Sequence, residues 1–320
     1  MKGVITGLVI TCFAAILFAG AGYVQGQNVE LEGRITLSGA WALYPMALKW
    51  AEEFQKIHPK VKIDVSAGGA GKGMADCLAK IADLGMVSRD INAEEEKKGA
   101  WALPVVKDAV LATVNANNPV IKGILVKGLT KKIFADIFVT GDIKTWGQVL
   151  GTDEKQPVIA YTRSDACGAG ETWAKYLGKK QEDLVGIGVY GDPGVAEAVK
   201  KDVCGIGFNN VNYVYDAKTK APIDGIRVVP IDINGDGKID PDEDFYNDRA
   251  TVMAAIARGI YPSPPARDLY FVSGGKPERK EVREFLRWVL TDGQKYVPET
   301  GYINVPDDKI KKDLEKLGEN

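Results

Sequence analysis

The sequence predicts an α/β protein whose mainly parallel sheets are flanked by helices. Two observations predict it. β-branched runs alternate with segments whose apolar residues recur at helical spacing, and glycine or proline clusters mark the changes. EGRITL (32–37) is strand-like, and PMALKWAEEFQKIH (45–58) is a helix opened by its proline. VKIDVS (61–66) is a strand, followed by glycines, helical MADCLAKIAD (74–83) and the short strand LGMVS (84–88). AVLATVNANNP (109–119) is an apolar strand running into a polar turn.

The middle repeats the style. KKIFADIFV (131–139) is helical, VIAYT (158–162) a strand, GETWAKYL (170–177) a helix, and AVKKDVCGIGF (198–208) a helix end entering a strand. ERKEVREFLRWVLTDGQKYV (278–297) reads as one long amphipathic helix, and DDKIKKDLEKL (307–317) as another. Segments near 111–117 and 261–268 (YPSPPARD) are joints between two lobes.

The 320 residues suffice for two medium domains or one large one. Lys and Arg number 41 against 43 Asp and Glu, so no global field draws nucleic acid. Residues 1–26 combine a basic start at Lys2, an apolar run and a small-residue end. That is an export signal, or, if retained, a membrane anchor, so the protein is expected in the periplasm or outside the cell. Cys12 lies in that segment; Cys77, Cys167 and Cys204 permit at most one disulfide.

Three segments place polar or glycine residues between a strand and a helix: SGAWALYP (38–45), SAGGAGKGM (66–74) and RSDACGAGE (163–171). A helix start offers unpaired N–H groups and a positive dipole end, an anion site that Arg163 can complete with a bidentate contact. SAGGAGKGM fails both nucleotide patterns, since Ser66 and Gly73 break the Walker spacing and Met74 replaces the last dinucleotide glycine. Cys167 at a helix start is placed for a lowered pKa and nucleophilic chemistry. That chemistry needs a base, and the single histidine, His58, sits at a helix end before a proline, where an exposed residue is expected. No enzyme is expected.

SGAWALYP…KWAEEFQK, SAGGAGKGM…DLGMVSRDI and TRSDACGAGETWAKYL resemble the PstS-like phosphate-binding proteins of ABC importers. FADIFVTGDIKTW, GVAEAVKKDVCGIGF and FLRWVLTDGQKYVPETGYINVP continue the resemblance in collinear order. It implies a two-lobe, type II periplasmic-binding-protein fold with a hinge of two crossover strands. Lobe I would comprise residues 27–112 and 264–320, and lobe II residues 113–263.

The resemblance also implies a ligand set. The first loop would contribute Ala42, Leu43 and Tyr44, with Leu43 where the family has a hydroxyl. The second would contribute Ser66, Gly68 and Gly69, and the strand after it Ser88 and Arg89, with Asp90 beside them. The third would contribute Arg163, Asp165, Cys167, Gly168 and Ala169, with Cys167 and Ala169 replacing the usual Ser and Thr. Each missing donor to a buried anion costs about 1–3 kcal/mol. The ligand is therefore phosphate, another oxyanion, or a larger anionic solute that Trp41 and Tyr44 help enclose.

DINGDGKIDPDE (232–243) fits an EF-hand calcium loop position by position. Asp232, Asn234, Asp236 and Asp240 supply oxygens, Lys238 its carbonyl and Glu243 a bidentate end, while Gly237 makes the sharp turn. IRVVPI before it is strand-like, so this is an isolated structural Ca2+ loop. The leading reading is a monomeric solute receptor partnered by a membrane ABC permease. The alternative is an exported sensory or adhesion protein that has lost its phosphate ligands.

Overall fold

The computed structural model describes residues 30–318; the export-signal segment 1–26 lies outside the described residues. The chain alternates β1 (Gly33–Gly39), α1 (Tyr44–Ile57), β2 (Val61–Ala67), α2 (Ala70–Leu78) and β3 (Leu84–Val87). Helix α1 buries Met46, Trp50 and Phe54, an i, i+4, i+8 stripe, against the sheet core. A short α3 (Ala93–Lys97), closed by an Asn92–Glu95 capping box, leads into β4 (Ala100–Asn115).

Then follow α4 (Ile121–Lys127), α5 (Lys131–Phe138), α6 (Trp146–Leu150), β5 (Ile159–Arg163) and α7 (Gly168–Tyr176). Next come β6 (Ile187–Val189), α8 (Gly191–Lys201), β7 (Gly205–Asn210), β8 (Ile226–Val228) and α9 (Arg249–Ala257). The chain returns through β9 (Ala266–Gly274), α10 (Lys280–Leu290), α11 (Val297–Thr300), β10 (Ile303–Asn304) and α12 (Asp307–Leu317).

The strands follow the order β2-β1-β3-β9-β4-β7-β5-β6, with β8 and β10 added to β4. β1 is parallel to β2 and β3, and β5 is parallel to β6 and β7. β4 and β9 run antiparallel to each other and cross between these two parallel groups. Strand β4 pairs with β9 over Ala100–Ala109 and with β7 over Val110–Val114, so one strand serves both halves. Two apolar cores flank this crossing. One gathers Trp50, Phe54, Phe271 and Phe285; the other gathers Phe134, Phe138, Trp173 and Phe208.

Three boundaries differ from the sequence patterns. β4 begins at Ala100 rather than 109, because the register shift between Pro104 and Val106 absorbs a proline that lacks a ladder N–H. α2 begins at Ala70 and ends at Leu78, with Lys80 at φ 58 just beyond it. The long helix expected over 278–297 stops at Leu290, where Thr291 leaves helical geometry at φ −115 and ψ −99. Trp50 Nε1 donates to the Gly293 carbonyl at 2.8 Å, which ties the turn beyond it to the core.

Candidate functional site

The third loop carries the most distinctive chemistry. β5 ends on Arg163, and Cys167 caps α7 in an extended conformation, its Sγ accepting the Gly170 N–H at 3.2 Å. The Cys167 N–H goes to Gln181 Oε1 at 3.1 Å. Gly168 and Ala169 hold the first two helical positions, whose N–H groups have no intrahelical acceptor. The next N–H, that of Gly170, is taken by the Cys167 cap. The Ala169 methyl packs in the core, so that residue can offer only its N–H.

Arg163 is fully buried. Its Nε and Nη2 donate to the two Asp165 oxygens at 2.8 and 2.7 Å, and its Nη1 to Asp192 Oδ2 at 2.8 Å. Burial works against the guanidinium charge, but Asp192 and then Asp165 outweigh it and raise the pKa. Arg163 thus faces two carboxylates, and two of its five N–H groups remain beyond those bonds. The bidentate contact expected of Arg163 toward an anion is made here to Asp165, and the Arg163–Asp165–Asp192 cluster is anionic in sum.

Sequence reasoning missed Asp192, although VYGDPG has the same strand–glycine–helix form and puts Asp192 in the first turn of α8. Asp192 accepts the Asn210 N–H at 2.9 Å and Asn210 Nδ2 at 2.8 Å, while its carbonyl accepts Asn209 Nδ2 at 2.8 Å. Arg267 Nη2 donates to Asn210 Oδ1 and lies 3.6 Å from Asp108. Asp108 and Arg267 are register partners on β4 and β9. A buried polar chain therefore runs from the third loop to the crossing strands. Desolvation, opposed by Arg267 and reinforced by Asp192, pushes Asp108 up to about 7.

The second loop behaves differently. The N–H groups of Gly68 and Gly69 donate to the Gly39 carbonyl at 2.9 and 3.0 Å, and Ser66 Oγ donates to Leu37 O at 3.2 Å. Gly71 N–H donates to Ala166 O at 3.2 Å, which joins the second loop to the third. Gly69 adopts φ +94, and a methyl there would lie 2.7 Å from Ala166 O. Ser66, Gly68 and Gly69 were expected to hold the anion; these bonds hold the protein together instead.

In the first loop, Leu43 is completely buried in the core and the Ala42 carbonyl accepts the Tyr302 hydroxyl at 2.6 Å. The Leu43 side chain thus serves the core, and the Ala42 carbonyl serves Tyr302. Tyr44 packs on Trp41 at 6.3 Å between ring centroids, and Trp41 meets Tyr190 edge-on at 6.1 Å. Tyr213 donates its hydroxyl to the Trp41 carbonyl at 3.0 Å.

Ser88 is brought to the third loop: a methyl on Gly168 would lie 2.2 Å from both Ser88 O and Ser88 Oγ. Arg89 is not a free cation. Its guanidinium holds Glu95 through two bonds of 2.8 and 2.7 Å and Glu171 at 3.0 Å, and its neighbour Asp90 pairs with Lys175. Those last two pairs tie the β3 side of the molecule to α7. Beside them lies a cavity of about 1000 Å³, which Arg89, Arg163 and Asp165 line together with Lys107, Arg267 and Tyr270.

Cys167 stands at a helix start as expected, yet burial pushes its thiol up to about 12 rather than down. Cys77, Cys167 and Cys204 are all free thiols. His58 is half-buried, its ring 4.6 Å from that of Phe54, rather than exposed.

The 232–243 loop turns at Gly237 with φ +84, and Ile239 N–H donates to Val126 O at 2.8 Å. Asp232 accepts the N–H groups of Gly235 and Gly237 at 2.6 and 3.0 Å. Glu243 accepts those of Ile233 and Asn234 at 2.9 and 3.3 Å, and that of Asp240 at 3.3 Å. Lys238 brings its ammonium onto Asp240 and within 3.3 Å of Asp236, a role not expected of it. Among the described residues, no group of three or more His, Cys, Asp or Glu is assembled to hold a metal ion.

Residues 24–293 match the family model described as a PBP superfamily domain. The phosphate-binding protein PstS of Bacillus subtilis is 30% identical, covering 89% of this chain and 85% of its own length. PstS of Methanocaldococcus jannaschii is 28% identical over 91% of this chain and 88% of its own. A phosphate-bound substrate-binding protein structure from Clostridium perfringens superposes with TM-score 0.69 at 22% identity, covering 86% of this chain and all of that one. Crossing strands between two parallel groups and collinear similarity over nine-tenths of the chain converge: the protein has the type II periplasmic-binding-protein fold and belongs to the PstS phosphate-binding protein family.

Proposed function

We propose that this protein is the extracytoplasmic receptor of an ABC importer and binds phosphate between its lobes. One observation carries the reading. The first turn of α7 presents the N–H groups of Gly168 and Ala169 beside the buried Arg163 and directly opposite Ser88, the residue just beyond the end of β3. A tetrahedral anion held there receives backbone donors, one hydroxyl and the remaining guanidinium N–H groups. The two carboxylates around Arg163 favour a protonated oxyanion, since a P–OH group can donate where a bare oxygen is repelled.

Delivery to a membrane permease follows from the same class, and a monomer suffices for it. Calorimetric titration of ligand-stripped protein with phosphate, sulfate, molybdate and tungstate tests the reading. Saturable phosphate binding that Arg163→Ala abolishes is the expected result. Absence of heat with all four anions favours the sensory or adhesion alternative.

A structural calcium ion in the 232–243 loop is part of the same proposal. The spacing of Asp232, Asn234, Asp236, Asp240 and Glu243 and the turn at Gly237 support it.

A further inference from the structure

The crossing strands carry a buried cation placed between two acceptors. Asp108 and Val110 on β4 share one face of the sheet, because side chains two residues apart on a strand point the same way. Their register partners are Arg267 on β9 and Asn210 on β7, so Arg267 lies diagonally across β4 from Asn210. Asp108, Asn210 and Arg267 are each more than nine-tenths buried.

Arg267 reaches Asn210 with one nitrogen. Its Nη2 donates to Asn210 Oδ1, while Nε and Nη1 have no hydrogen-bond partner among the described residues. Both Asp108 oxygens are likewise without a hydrogen bond, although Oδ1 stands 3.6 Å from Arg267 Nη2. A guanidinium is a planar fork that matches a carboxylate through two parallel bonds. Seating that fork on Asp108 would satisfy buried groups that the observed arrangement leaves unbonded.

The two arrangements differ in the charge they bring to the anion loop. The Asn210 N–H and Nδ2 both donate to Asp192, which accepts from Arg163. With Arg267 on Asn210, two cations, Arg163 and Arg267, stand against the two carboxylates Asp165 and Asp192. With Arg267 drawn to Asp108, Arg163 alone faces both carboxylates, and the net negative charge opposes an anion.

We propose that Arg267 is a positioning residue for phosphate, and that Asp108 competes with Asn210 for it. On Asn210 it favours the bound anion; on Asp108 it favours release. This rests on the phosphate reading of the third loop. By linkage, bound phosphate holds Arg267 on Asn210 as strongly as Arg267 there holds phosphate.

The titratable groups facing Asp108 are Arg267 on β9, Asp192 in α8, Tyr213 beyond β7 and Tyr302 ahead of β10. Burial raises the pKa of both tyrosines, which keeps them neutral, so the competition follows the charge of Asp108. As pH rises through about 7, Asp108 ionises and draws Arg267, and phosphate affinity falls.

Phosphate calorimetry on the full chain, at about pH 5.5 and about pH 8, tests the competition. Asp108→Asn removes the competitor and should tighten phosphate about fivefold or more at the higher pH, the low end of typical site couplings. At the lower pH the two proteins should converge, since the wild-type carboxyl is then neutral as well. Arg267→Gln should weaken phosphate by a similar factor; a purely structural pair would weaken binding from either side. The double variant Arg267→Gln/Asp108→Asn leaves neither charge of the pair uncompensated. It should bind as weakly as Arg267→Gln, because Asp108 acts only through the arginine. Unchanged or weaker binding in Asp108→Asn at the higher pH overturns the proposal while the phosphate reading stands. So does a tightening that persists without Arg267. A wild type that binds no phosphate overturns both.

Discussion

The second and third glycine loops look alike in sequence and differ in what their groups are bonded to. Gly68, Gly69 and Gly71 give their N–H groups to carbonyls of the protein, so glycine there permits close packing between segments. Gly168 also permits close packing, against Ser88, but its N–H and that of Ala169 stay outside the helix ladder. Behind the third loop stands a buried arginine with two carboxylates; behind the second is a short-range knot of Lys72, Asp76 and Ser38. A glycine-rich strand–helix turn therefore identifies an anion site only when its donors are left over after the fold has taken its share.

The largest test of that contrast is Arg163→Ala. It leaves Asp165 and Asp192 buried without their cation, and breaking such a group by removing one partner costs about 3–5 kcal/mol. Denaturant unfolding should show that loss, and phosphate titration should show no binding. Lys72→Ala at the second loop removes a partly exposed pair and should change stability by less than about 1 kcal/mol. Equal losses from the two variants would erase the distinction.

The polar chain predicts a pH dependence of the next size. Folding holds the Asp108 carboxyl at about 7, above its ordinary 3.8, because burial disfavours the anion. The folded state therefore retains a proton that the unfolded state releases. Its contribution is fully present below about pH 4 and is lost as pH rises through about 7, by a few kcal/mol at most. Asp108→Asn should flatten that part of the stability–pH curve. A slope between pH 4 and 7 that is unchanged in the variant would assign it to other groups.

Much of this was legible beforehand. The alternating patterns located the strands and helices around the cleft, and RSDACGAGE was rightly placed at the start of a helix. The side chains were harder to read. Leu43 is where the family pattern has a hydroxyl, yet only burial reveals that it serves the core. Arg163 and Asp165 are two residues apart and were visible together, whereas Asp192 lies 29 residues from Arg163 and reaches it only because β5 and β6 pair in parallel ahead of α8. Local spacing cannot report such a partner.

A smaller effect is expected at the point where the lobes touch. Gly168→Ala places a methyl 2.2 Å from Ser88 backbone, which cannot yield cheaply, whereas Gly71→Ala places one 3.0 Å from the Ala166 methyl. Gly168→Ala should cost phosphate affinity about tenfold or more, on the scale of 1–3 kcal/mol for overpacking, with Gly71→Ala nearer the wild type. Similar affinities for the two variants would show that the Ser88–Gly168 approach does not define the bound state.

The 232–243 loop extends the same contrast to carboxylates and gives the smallest effect. Its sequence has the clearest ligand spacing in the chain, yet its oxygens, like the N–H groups of the second loop, are engaged by the protein itself. Calcium must displace the Lys238 ammonium from Asp236 and Asp240 and take Glu243 away from three backbone N–H groups. Those losses offset much of the coordination energy, which puts the expected Kd in the roughly 10⁻⁴–10⁻³ M class of extracellular modules. At millimolar calcium the gain is then about 0.4–1.4 kcal/mol by mass action. EDTA should lower the melting temperature by a few degrees, and Lys238→Ala should enlarge the calcium-dependent shift by removing the competitor. An identical melting temperature with calcium and with EDTA, in both the wild type and Lys238→Ala, would show that the loop closes on its own hydrogen bonds.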